Sequence, residues 1–140
     1  MLLSKGGHEA PNEWKEATVD SPDLLIQTWL TEIKSGPDAA KIGMYLVHNG
    51  VVRGTARDGA AVNGMDLSYD PERLEEVLAD VGSQPGVVAV RAWVNEGRLA
   101  VGDDIMYVLV AGNIRENVFP RLQELVRRIK TEVVTEFEIS

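Results

Sequence analysis

Arg115 and Lys130 are the residues of this chain best suited by type and spacing to hold an anion. Arg115 opens a stretch, Asn113-Ile114-Arg115-Glu116, with a helix start's pattern. Lys130 follows Arg127 and Arg128 near that helix's end. Backbone N–H groups at a helix N-terminus attract anions, and a neighbouring arginine reinforces them. The same dipole disfavours a cation there, so stability alone gives Arg115 no reason to be where it is. Lys130 sits where the dipole welcomes cations, and a solvated helix end explains it equally well. A third group is Gly50-Val51-Val52-Arg53, with Arg57 close behind. Glycine allows close backbone approach, and an arginine beside it can grip an oxyanion with two parallel hydrogen bonds. The plain alternative is a strand-end arginine in solvent.

The spacing carries a geometric consequence. Residues 115 and 130 on one helix stand roughly 22 Å apart along its axis. They cannot hold one small ligand within one subunit. A pocket using both must combine two copies of the chain, as a symmetric dimer would.

The bulk composition limits the other chemistries. With 140 residues the chain makes one domain, and 44% hydrophobic with 26% charged residues is ordinary for a globular protein. A formal net charge of −8 argues against a nucleic-acid surface, which needs a broad basic field. It leaves room for a small anion held by a few local cations. The absence of cysteine removes disulfides, thiolate metal sites and a thiol nucleophile. His8 and His48 are the only histidines, too few for a multi-histidine metal centre. Neither a metal nor a cofactor is expected. No apolar run is long enough to span a membrane, and the N-terminus lacks the apolar core of a signal peptide. The expected compartment is the cytoplasm.

The elements that must position these residues follow from periodicity. Residues 1–20 are polar and aperiodic and read as a loose arm; residues 21–140 read as a single domain. Ser21-Pro22-Asp23 is a helix start, and Leu25, Ile26, Trp29, Leu30 and Ile33 form its apolar stripe. Residues 42–52 are β-prone. Residues 62–69 alternate as a strand expected to pair with the one before. Asp70-Pro71-Glu72 opens a second helix with Leu74, Val77, Leu78 and Val81 buried. Residues 87–94 are a strand, residues 97–101 a short extended piece, and residues 104–111 a strand buried on both faces. Asn113 is expected to cap the third helix, and residues 133–139 make a last strand. From residue 62 the order is β-α-β-β-α-β, the ferredoxin-like arrangement.

In order and spacing, five pieces resemble the large, catalytic subunit of molybdopterin synthase. They are Gly50-x-Val52-Arg53; Gly59-x-x-Val62-x-x-Met65; Gly97-Arg98-Leu99-x-x-Gly102-Asp103; Ala111-x-x-Ile114-Arg115-x-x-Val118-Phe119; and Lys130-x-x-Val133. The resemblance implies an α+β fold, an α/β-hammerhead with a mostly antiparallel sheet and a ferredoxin-like core. It implies a homodimer, a small ubiquitin-like sulfur-carrier subunit as partner, and precursor Z, a pterin phosphate, as substrate. The partner's thiocarboxylate would supply two sulfurs to make the dithiolene of molybdopterin. Carried over by position, Lys130 corresponds to the family's first essential lysine. Val52, Arg53, Ile114 and Arg115 correspond to substrate-binding positions.

Several positions depart from the family pattern, among them Ser68, Val94-Asn95-Glu96-Gly97 and the ending at residues 134–139, and two of them bear on the chemistry. The family's His-Arg pair reads Ile114-Arg115, and its second functional lysine falls on Phe137. Two alternatives therefore stand beside a working synthase subunit. One is a catalytically impaired family member serving as an anion-binding or regulatory dimer. The other is an unrelated ferredoxin-like domain.

Overall fold

The computed structural model describes residues 22–140. The expected N-terminal arm and the Ser21 cap lie outside the described residues. Helix α1, Pro22–Lys34, buries Leu25, Trp29 and Ile33, spaced one turn apart on a single stripe. A short 3-10 turn, Ala39–Lys41, leads into β1, Met44–Val51. Then come β2, Gly64–Tyr69, helix α2, Pro71–Gly82, and strands β3, Val87–Val94, β4, Gly97–Ala100, and β5, Asp104–Gly112. Helix α3, Arg115–Arg128, runs directly into a π-turn, Ile129–Val133, and strand β6, Val134–Ile139, follows without a loop.

The strands form two antiparallel three-stranded sheets, one ordered β1-β5-β3 and the other β4-β2-β6. From β2 onward the order is β-α-β-β-β-α-β, the expected arrangement with the short β4 added, and its strands are shared between both sheets. One expectation is corrected. β2 pairs with β4 and β6, not with β1. Residues 52–63 separate β1 from β2, too long a connection to enforce a hairpin. One edge of β1 is already paired with β5 from Met44↔Gly112 to Val51↔Asp104.

Strand β5 is the centre of the molecule. Tyr107, Leu109 and Ala111 face α1, together with Trp93, whose ring lies 5.7 Å from that of Tyr107. Met106, Val108 and Val110 face the other way, into the larger core. There they meet Val77 and Val81 of α2, Val118 and Leu125 of α3, and Met65 and Leu67 of β2. Burial on both faces explains why β5 reads as an unbroken apolar run instead of an alternation. Full burial of each such side chain contributes about 1.5–3 kcal/mol.

The two sheets are stitched where β4 passes into β5. Val52 N–H donates to the Asp103 carbonyl (3.0 Å), and Gly102 N–H donates to the Val52 carbonyl (2.9 Å). Gly102 has φ +95°, a conformation that costs glycine little.

Candidate functional site

The two ends of α3 are built differently. At its start the N-cap is Ile114, which supplies no side-chain cap; the capping role expected of Asn113 is thereby corrected. Asn113 sits one residue too early. Its Oδ1 accepts from Ile114 N–H (2.7 Å) and Asn117 Nδ2 (2.9 Å). Gly86 permits this arrangement, since a Cβ there would lie 2.3 Å from Asn117 Nδ2. Ile114 and Arg115 both point outward. Ile114 is 51% exposed, and Arg115 has only a loose contact with Glu116 at 3.7 Å.

At the other end, Lys130 does not lie on the α-helix as expected. It occupies the π-turn, whose buried Ile129 and Val133 anchor it to the core. In the sequence the helical stripe ends at Ile129 and a strand is expected from Val133, which is why the wider turn between them was not legible there. Short π segments occur often at functional sites. Two ion-pair sets fix this turn. Glu132 accepts from Arg128 through both carboxylate oxygens (3.0 and 3.1 Å) and also from Arg73 of α2. Arg128 further donates to Asp80 (3.1 Å). The Arg128 hydrogen bonds, with Arg73 behind them, hold the Glu132 carboxyl down to about 2. Arg128 is thus committed to structure.

Lys130 itself points to β6, where its Nζ lies 3.4 Å from Glu136 Oε2. That oxygen is buried and makes no hydrogen bond. His48 of β1 belongs to the same neighbourhood. Its imidazole is half-buried, and its pKa is lowered first by that burial and second by the Lys130 charge. A Cβ on Gly50 would lie 3.6 Å from His48 Nε2, so the bare glycine flanks the ring. Sequence reasoning assigned neither His48 nor Glu136 to the site. The only signal was a titratable residue on the inward face of each strand, beside Leu46 and Val134.

Arg53 is exposed in the loop just beyond β1. Because β1 runs opposite to β5 and α3 returns along them, Arg53 lies at the sheet end where α3 finishes. Val52 is 2% exposed, and both its main-chain groups bond within the chain. Its side chain packs in the larger core, and Arg53 follows it directly in the loop. Phe137, at the position of the family's second lysine, is 67% exposed and stands opposite Asp66 on the outer face of the second sheet. One subunit therefore gathers Lys130, Glu136 and His48 at one end, with Arg53 nearby, and leaves Ile114 and Arg115 at the other. Among the described residues no group of three His, Asp or Glu is placed to hold a metal, and no helix is long and apolar enough to cross a membrane.

Comparison with known proteins follows this geometry. The fold is similar to molybdopterin synthase from Staphylococcus aureus, with TM-score 0.61 and 19% identity over 70% of this chain and 74% of that one. It is similar to molybdopterin cofactor biosynthesis protein E from Burkholderia multivorans, with TM-score 0.63 and 23% identity over 79% and 77%. It is also similar to a complex of subunits 1 and 2 of molybdopterin-converting factor from Helicobacter pylori, with TM-score 0.64 and 15% identity over 84% and 77%. The comparison with curated protein sequences gives no match. A model of the MoaE protein family matches residues 21–132, from the start of α1 through the π-turn that carries Lys130, and the chain belongs to that family.

Proposed function

We propose that this chain is the large subunit of a molybdopterin synthase, acting in molybdenum cofactor biosynthesis in the cytoplasm. It would convert precursor Z to molybdopterin with sulfur from the thiocarboxylate of a small partner subunit. The observation that carries this reading is the family match over residues 21–132, which includes Lys130 on its π-turn. The two-subunit Helicobacter pylori assembly supports a small-subunit partner.

The chemistry asks for cations at two points. Precursor Z brings a phosphate, and the sulfur donor brings a thiocarboxylate. An arginine such as Arg53 suits the first, because its planar fork matches phosphate oxygens. An ammonium such as Lys130 suits the second, where charge shifts as the carbon–sulfur bond changes partners. Arg115 and Ile114 lie at the far end of α3, so their part in binding is played in the pocket of a second copy. The working unit is then a homodimer with pockets that cross its interface.

The test supplies precursor Z and a thiocarboxylated small subunit to the purified chain and looks for the dithiolene product. Formation of product supports the reading. With a partner verified to bind, absence of product would reject sulfur transfer and leave an anion-binding dimer in its place.

A further inference from the structure

His48 and Glu136 are titratable groups on strand faces that otherwise turn apolar side chains inward. On β1 that face carries Met44, Leu46 and His48; on β6 it carries Val134 and Glu136. The two strands belong to different sheets; Glu136 meets the Lys130 ammonium directly, and the Lys130 charge also lowers the pKa of His48 after burial. Glu136 lies opposite Leu67 of β2, so its carboxylate enters from the core side. A buried carboxylate oxygen without a hydrogen bond is costly unless a charge compensates it. The Lys130 ammonium is that charge. Burial on one side and the ammonium on the other favour an uncharged imidazole at His48.

We propose that Glu136 is a positioning residue for Lys130, holding its ammonium against β6. Glu136 tethers the ammonium. The site then works with one restrained lysine, where Phe137 has removed a second. The proposal rests on reading Lys130 as the reactive group.

The test measures the reactivity of the Lys130 amine directly, so it does not depend on turnover. In the full-length protein at neutral pH, competitive acylation of Lys130 is expected to quicken about threefold or more in Glu136→Gln, because the amine is released from its ion pair. The NMR titration midpoint of His48 is expected to rise in Lys130→Met, because the opposing charge is gone. Glu136→Asp should retain slow acylation if the carboxylate itself is the tether. An acylation rate unchanged in Glu136→Gln would overturn the proposal. Unaltered backbone spectra away from the site show that each variant is folded. Loss of dithiolene formation by the parent protein would count against the proposed function and not against this geometry, because both readouts here are independent of product.

Discussion

The Lys130 end and the Arg115 end of α3 share a helix and little else. Around Lys130 nearly every charge is answered within the chain: Glu136 by Lys130, Glu132 by Arg128 and Arg73, and Arg128 additionally by Asp80. Around Arg115 the surface is open, with Ile114 51% and Phe119 50% exposed and one weak ion pair. The difference shows that the first end is finished by folding. The second leaves a cation and apolar side chains facing solvent. Exposed apolar groups beside a charge are common where another chain docks.

This contrast can be broken in four ways, from the largest effect to the smallest. Lys130→Ala should reduce dithiolene formation by about a hundredfold or more, the usual scale for losing a positioned acid, base or charge stabiliser. A smaller loss would place the chemistry elsewhere. Next, Lys130→Ala and Arg115→Ala chains, each inactive alone, should restore product when mixed and allowed to exchange subunits. One intact pocket forms in each mixed dimer, so recovery approaches about a quarter of the unmutated rate. No recovery would mean that both residues serve a pocket within one chain.

Third, Glu132→Gln should alter the pH dependence of stability. The Glu132 carboxyl is held below its unfolded value, so its contribution is full above about pH 4.5 and fades as pH falls toward 2. Thermal melts of the parent should drop across that window more steeply than those of Glu132→Gln. Parallel curves would show that the clamp on the π-turn carries no weight. Last, Arg115→Ala should change the stability of the subunit by no more than about 0.5 kcal/mol in denaturant titrations, since its side chain is 78% exposed. A larger loss would tie Arg115 to the fold and remove its reason to be free.

What the sequence made legible divides along similar lines. Local signals were readable. Asp70 caps α2 by accepting from Arg73 N–H, as Asp-Pro-Glu suggests, and β5 is buried on both faces as its composition requires. The partner of β2 was not readable, because pairing is decided by contacts distant in sequence once the connecting loop is long. The π-turn was hidden because Ile129 continues the helical stripe and Val133 reads as the start of the last strand. In the site, Lys130, Arg53 and Arg115 stood out as cations in an acidic chain. His48 and Glu136 did not, because a single titratable residue on an apolar strand carries no periodic signature. Only the fold shows that the Lys130 charge reaches both.

The stitch at Val52 has a mechanical meaning. Lys130 stands on the π-turn that leads into the second sheet, and its ion pair with Glu136 is made there. The two hydrogen bonds joining Val52 to Gly102 and Asp103 tie the loop leaving β1 to the turn that carries the chain from one sheet to the other. The stitch thus sets how the sheets are seated. A slip of one against the other would break these two bonds while each sheet still kept its own ladder intact.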